Sequence, residues 1–221
     1  MITLHYLNRS RAQRILWLLE ELGVPYELKR YERDPQTLLA PPALKRVHPL
    51  GKSPVIEDDG VVVAESGAII EYLTGKYDQK GLVPPAGTPE RLRYTFWLHY
   101  AEGSLMPPLL LKLVFERMAS GPSPWIMRPI LRAISRRVQQ GFIDPQLKLH
   151  LDYVEQELGQ HRWFAGEQFT AADIQMGFPL TTAKSFRAVD ERYPHTLDFL
   201  KRIHERPAYQ RALEKSRDDE T

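Results

Sequence analysis

Two short segments lying close together in the chain hold the residue types that bind a small peptide. The first is Gly51-Lys52-Ser53-Pro54-Val55-Ile56. Pro54 at the start of a strand restricts Ser53 to an extended backbone and leaves its N–H and C=O available for pairing. Lys52 beside it can meet a carboxylate. The second segment is Glu65-Ser66, which opens the helical run Gly67-Ala68-Ile69-Ile70-Glu71-Tyr72-Leu73. It supplies a carboxylate, a hydroxyl and a helix N-terminus, whose unpaired N–H groups attract an anion. Glu65 suits an α-ammonium and Ser66 the α-carboxylate next to it. The pair of segments therefore describes a ligand with a peptide-like middle and a free amino-acid end.

The chemistry available to such a site is bounded by composition. The 221 residues contain no cysteine, which rules out disulfides, thiolate metal sites and a thiol nucleophile of the protein's own, and fits a reducing compartment. With 30 Lys+Arg against 28 Asp+Glu, the chain is too near neutral for a dedicated nucleic-acid binder. The start, Met1-Ile2-Thr3-Leu4-His5-Tyr6, shows strand-like alternation and no leader pattern, so a cytoplasmic protein is expected. The most apolar run, Leu105 to Phe115, is interrupted by Pro107, Pro108 and Lys112 and falls short of the roughly 20 residues of a bilayer span. Phosphate-binding loops, a Gly-x-Ser-x-Gly elbow and His-Glu-x-x-His are missing, and the seven histidines are too scattered for a metal site.

The elements that must position the two segments follow from periodicity. Ile2 to Leu7 is strand-like, and Ala12, Ile15, Leu19 and Leu22 repeat with helical spacing up to a stop at Gly23. Tyr26 to Tyr31 is a second strand. Val55-Ile56 and Val61-Val62-Val63 flank Asp58-Asp59-Gly60, a hairpin signal, and a helix follows from Ser66 to Tyr77. The order β-α-β, a long crossover, then β-β-α predicts a compact α/β unit with a mixed sheet. Gly81, Pro84, Pro85, Gly87 and Pro89 mark a linker, and everything after it reads helical. The division is 1–79, a linker 80–88, and 89–221. Thr88 and Pro89 start a long helix that carries Leu92, Phe96 and Tyr100 on one side. A break at Gly121-Pro122-Ser123-Pro124 precedes a helical stretch from Met127 to Leu158, another begins at Thr170, and a polar tail from Ser216 to Thr221 is expected to fray.

This order of elements, with Ser-Pro before the hairpin and Glu-Ser opening the next helix, resembles the glutathione transferase superfamily along essentially the whole chain. The stretch from His5 to Leu22, above all the loop Asn8-Arg9-Ser10-Arg11, looks most like the microbial class of bacteria and yeast with a serine at the start of helix 1. Phe169-Thr170-Ala171-Ala172-Asp173-Ile174 is similar to the family's helix-capping motif. The resemblance implies a thioredoxin-like α/β domain (β-α-β-β-β-α) followed by an all-α bundle, and a cis bond between Ser53 and Pro54. It also implies glutathione as co-substrate, paired through its central cysteine with the Ser53-Pro54 backbone, and a homodimer. The capping motif needs no chemistry. Thr170 can cap its helix while Asp173 accepts from the Thr170 N–H, so Thr170→Ala or Asp173→Ala is expected to cost about 1 kcal/mol or somewhat more.

A thiol with pKa about 8.5 is only a few per cent ionised at neutral pH, and a hydroxyl donor beside a helix N-terminus can lower that value. Ser10, in the turn between the first strand and helix, is the expected donor, and it can cap that helix at the same time. Asn8 and Tyr6 are alternatives, because other classes of the family use a tyrosine at the end of this strand. His5 is expected to be packed or hydrogen-bonded. Tyr100, Met106, Leu110 and Phe115 suit the lining of an electrophile pocket between the domains, although such residues are more often bundle core. Arg128, Arg132 and Arg136 fall on one helical face after Trp125 and Ile126. In segment 122–137 this pattern suits a solvated or dimer-facing surface better than a patch for an anionic membrane surface or an acidic partner. The expected activity is conjugation of glutathione to hydrophobic electrophiles. Glutathione-dependent peroxide or disulfide reduction, and a catalytically silent interaction module, are the alternatives.

Overall fold

The computed structural model describes residues 1–217 apart from 36, 38 and 122. Pro122 and the part of the expected frayed tail from 218 onward lie outside the described residues. The first domain follows the predicted order, with β1 (Ile2–Leu7), α1 (Ala12–Leu22), β2 (Tyr26–Tyr31), β3 (Val55–Asp58), β4 (Val61–Ala64) and a helix over Ser66–Tyr77. The crossover also holds a short helix, Ala43–Val47, which is α2, so that the helix from Ser66 is α3. The five residues of α2 are too few to carry a helical period. It forms because Leu44 packs with Leu7 and Tyr31.

The sheet order is β2-β1-β3-β4, with β1 parallel to β2 and antiparallel to β3, and β3 antiparallel to β4. Gly23 (φ 71°) ends α1 in the left-handed region and bonds back to Leu19. Asp59 and Gly60 both have positive φ, as a type I′ hairpin turn requires.

The register decides where the site lies. His5 pairs with Val55, and Val55 pairs with Ala64. The end of β1, the approach to β3 and the exit from β4 therefore share one edge of the sheet, which gathers the loop 8–11, Ser53-Pro54 and Glu65-Ser66.

The second domain is helical: α4 (Pro89–Tyr100), α5 (Met106–Ser120), α6 (Arg128–Val138), α7 (Asp144–Gln160), α8 (Ala171–Ser185), α9 (Pro194–His204) and α10 (Pro207–Arg217). Single π-helical turns, Ala101–Leu105 and Gln139–Ile143, join α4 to α5 and α6 to α7. The first prepares the chain for Pro107 and Pro108, which cannot donate to a regular helical ladder. Thr88 caps α4 by accepting from the Arg91 N–H at 3.2 Å.

The side of α4 that carries Leu92 and Phe96 faces solvent, and Tyr94, Trp97 and Leu98 are buried instead. On α6 the three arginines are exposed, roughly opposite the exposed Ile130 and Ile134.

Helix α1 is buried along almost its whole length because both domains cover it. Trp17 meets Tyr209 edge-on at 5.0 Å, and Arg206 pairs with Glu21 at 2.6 Å. Burial tends to raise the Glu20 carboxyl, but hydrogen bonds from Lys215, Tyr26 and Arg211 outweigh it and hold the group below its ordinary value. A depressed carboxylate contributes stability that is complete above the unfolded-state pKa and is lost as pH falls through the folded one. Urea unfolding at stepped acidic pH is expected to show this loss in the wild type. It should be weaker in Glu20→Gln, and identical acid limbs would contradict the assignment.

Candidate active site

At the shared sheet edge, Ser53 is fastened to β1. Its hydroxyl donates to the His5 carbonyl at 2.9 Å and accepts from the Leu7 N–H at 3.1 Å. The side chain is thus committed within the protein. The Ser53–Pro54 peptide is cis.

Glu65 occupies the cap position of α3 at φ 74° and ψ 125°, a sparsely populated region for a residue with a side chain. It is exposed, and its carboxylate has no hydrogen bond or ion pair among the described residues. Ser66 is the first helical residue of α3 and is buried, so the cap position belongs to Glu65. The Ser66 hydroxyl likewise has no side-chain partner among the described residues. Lys52 is exposed.

The three candidate thiol donors differ in what they already hold. The Ser10 oxygen accepts from the Ala12 N–H at 3.1 Å, so it caps the start of α1 while its own proton stays available for an anion. Tyr6 donates its hydroxyl proton to Gln13 Oε1 at 3.1 Å, and the Asn8 amide donates to Glu32 at 3.1 Å. His5 is packed and bonded as expected, with Nδ1 2.9 Å from the Tyr31 hydroxyl and Nε2 3.0 Å from Glu57. Burial lowers its pKa against the opposing effect of Glu57.

A cavity of about 640 Å³, within the usual range for small ligands, opens between the domains. Tyr6, Asn8 and Ser10 line it from the first domain, and Ile174, Phe178 and Tyr209 from the second. Lys52, Ser53, Pro54, Glu65 and Ser66 do not line it, whereas Ser10, on the loop gathered at the same sheet edge, does.

The residues named from the sequence as possible pocket lining do not line it either. Tyr100 is bonded to His150 at 2.6 Å, Met106 is core and Leu110 is half exposed to solvent, and Phe115 packs against the core. The reason is that α1 packs on α8 and α10, so the gap opens along those helices and away from α5.

One feature of the site is not visible in the sequence pattern. Arg14, on α1, lines the cavity with a fully buried side chain. Its Nη1 pairs with Glu102 at 2.7 Å and donates to Gln175 Oε1 at 2.8 Å, and its guanidinium lies 4.5 Å from the centre of the Phe178 ring. Glu102 sits in the π-helical turn after α4 and also pairs with Arg11 at 3.1 Å. Burial pulls the Arg14 pKa down to about 10 against the raising effect of Glu102, which leaves it cationic at neutral pH. In the sequence Arg14 shares the polar side of α1 with Gln13, Glu20 and Glu21, so the helical pattern gives no sign that it is buried.

Among the described residues there is no cluster of three or more His, Asp or Glu able to hold a metal ion, and no helix long and apolar enough to cross a membrane.

Comparison with known proteins adds independent findings. The family model for the glutathione S-transferase N-terminal domain matches residues 9–75, and that for the C-terminal domain matches residues 143–207. Glutathione S-transferase 3 of Schizosaccharomyces pombe is 39% identical over 219 residues, covering 99% of this chain and 89% of its own. The crystal structure of a glutathione S-transferase from Actinobacillus pleuropneumoniae superposes with a TM-score of 0.81 at 37% identity, over 98% of this chain and 93% of that one. A glutathione transferase from Phanerochaete chrysosporium, solved with oxidised glutathione, gives 0.77 at 26% identity, over 97% and 96% of the two chains. Both domain models fall in chain order on the α/β and the helical unit, and the yeast relative spans nearly every residue, so this chain belongs to the glutathione S-transferase superfamily.

Proposed function

We infer that this glutathione transferase binds glutathione along the sheet edge, ionises its thiol at Ser10 and presents the thiolate to an electrophile held in the interdomain cavity. Residues 1–79 then form the glutathione-holding unit and 89–221 the helical unit that covers the electrophile. The observation that carries the reading is the position of Ser10, which lines the cavity and uses its oxygen to cap α1 while its proton is left to donate.

Glu65 takes the ligand's α-ammonium. Ser66 and the first N–H groups of α3 take the α-carboxylate, and the Ser53-Pro54 backbone pairs with the central residue. Lys52 faces the glycine end. The thiol proton leaves to solvent, and the Ser10 hydroxyl and the N-terminus of α1 stabilise the sulfur anion. The sulfur lone pair then forms the S–C bond. With an aryl halide, the halide leaves with the electrons of its own bond to carbon; with an activated alkene, the displaced pair moves to carbon and takes a proton from water.

Exposed apolar side chains on β4 (Val61, Val62) and on α4 (Leu92, Phe96) support a homodimer. The reading carries a cytoplasmic, detoxifying role with it. Sedimentation of the protein tests the dimer.

The mechanism is tested by following thiolate absorbance in a pH titration with glutathione, on the wild type and Ser10→Ala in parallel. The bound thiol is expected to ionise at least about one pH unit below the free thiol in the wild type and to lose most of that shift in the variant. Equal shifts would reduce Ser10 to a helix cap and move the role to Asn8 or Tyr6. Binding without thiolate would favour the silent module, and thiolate that reduces peroxides or disulfides without conjugation would favour the reductase alternative.

A further inference from the structure

Arg14 presents an incomplete site. A guanidinium has two hydrogen-bonding edges suited to a carboxylate: the end formed by both Nη groups, and the side formed by Nε and Nη2. In this protein Nη1 is held by Glu102 and Gln175, whereas Nε and Nη2 are buried and have no hydrogen-bond partner. Buried donors without partners are costly. They occur here on a residue that lines a cavity and whose guanidinium lies against the ring of Phe178, another lining residue. The fold holds this fork rigidly, since α1 is clamped by both domains and Glu102 anchors the opposite end of the guanidinium.

The surrounding charge favours an anion. Arg11 and Arg14 stand at this end of α1 and share the single carboxylate of Glu102. Glu102 is itself partly exposed, so its neutralising effect is screened by solvent.

Resting on the transferase reading above, we propose that the Nε–Nη2 edge of Arg14 seats a carboxylate carried by the electrophile, so that this enzyme favours anionic over neutral second substrates. The ligand class is a flat, unsaturated or aromatic acid whose ring lies against the apolar wall of Trp17, Ile174 and Phe178 while its carboxylate meets Arg14. Conjugation itself is unchanged: the thiolate sulfur bonds to the electrophilic carbon, and either the leaving group of an aromatic acid departs with its bonding pair or the displaced π pair of an unsaturated acid moves to carbon and takes a proton from water. The carboxylate only orients the acceptor.

The test uses a chlorodinitrobenzoate and its methyl ester, two aryl chlorides that differ in the carboxylate charge. Chloride leaves in both, and release of the coloured thioether reports turnover. The wild type is expected to prefer the acid at least tenfold in kcat/KM. Arg14→Gln should collapse that ratio towards one. Glu102→Gln, which removes the competing negative charge, should widen it at least threefold through a lower KM for the acid. Opposite signs in the two variants separate anion recognition from loss of a structural ion pair, which would harm both substrates alike.

No preference in the wild type, or a ratio that does not widen in Glu102→Gln, overturns the proposal, and the second result needs no folded Arg14 variant. An unchanged ratio in Arg14→Gln together with a raised pKa of bound glutathione also overturns it, by assigning Arg14 to the thiolate. If neither aryl chloride is turned over, the transferase reading fails first. Competition between unreactive dinitrobenzoate and dinitrobenzene, read by quenching of the tryptophan fluorescence, then decides whether the carboxylate seat exists.

Discussion

Asp173→Ala is expected to lower the unfolding free energy by about 3–4 kcal/mol, well beyond the loss of an ordinary helix cap. The Asp173 carboxylate accepts from the Thr170 N–H at 2.7 Å and the Thr170 hydroxyl at 3.0 Å, and also from the Phe164 N–H at 2.8 Å. All three residues are buried. Removing the carboxylate leaves two backbone N–H groups without partners in the core, and unsatisfied buried donors cost about 1–3 kcal/mol each. It also frees the turn that presents Phe164 to the ring of Trp97 at 4.6 Å. Thr170→Ala removes one hydroxyl donor and stays near 1 kcal/mol. Urea unfolding of both variants checks the contrast, and an Asp173→Ala protein within about 1 kcal/mol of wild type would contradict it. Protein that remains folded should bind glutathione with unchanged affinity, because the motif touches no ligand in this scheme.

Replacing Glu65 should separate binding from stability. Glu65→Ala is expected to weaken glutathione affinity by about thirtyfold to a hundredfold, the size of a lost charge-assisted hydrogen bond of about 2–3 kcal/mol. Glu65→Gly removes the same carboxylate and relieves the backbone at φ 74°, so its melting temperature should equal or exceed that of wild type although its affinity falls as far. Titration calorimetry paired with thermal unfolding reads both effects. A Glu65→Gly protein that binds like wild type would remove this residue from the ligand site. One that binds poorly and also melts early would show that Glu65 serves the fold.

The parts of this molecule that were legible in the sequence carry their own local signal. Gly23 ends α1, Asp59-Gly60 turns the hairpin, Thr88-Pro89 starts α4 and Thr170 with Asp173 starts α8. Each works through backbone geometry within a few residues, and the residues proposed to hold glutathione could be named because they sit at such signals.

What was not legible depends on contacts between distant segments. Short α2 exists because Leu44 has Leu7 and Tyr31 to pack on. The buried side of α4 was masked by apolar residues all round the helix, so Leu92 and Phe96 gave no indication that they face solvent. The cavity wall depends on Trp17 meeting α10, close to 190 positions later in the chain. Arg14 became a site residue only when α8 brought Gln175 and Phe178 to it. Capping of α1 by Ser10 and donation to a ligand look identical in sequence, and they are distinguished by which of the hydroxyl's lone pair and proton is engaged.

The burial of α1 has a consequence for how the protein is made. Its outer face is covered by α8 and α10 and its acidic end is neutralised by Arg206, Arg211 and Lys215, all of which leave the ribosome long after α1 does. At about 5–20 residues per second, synthesis of the intervening chain takes roughly ten to forty seconds. During that interval the nascent first domain displays Trp17 and the neighbouring leucines to whatever surrounds it. Helix α10 therefore closes the fold as well as extending it, and a chain halted before Pro207 is a natural client for chaperones, while docking of α10 ends that exposure.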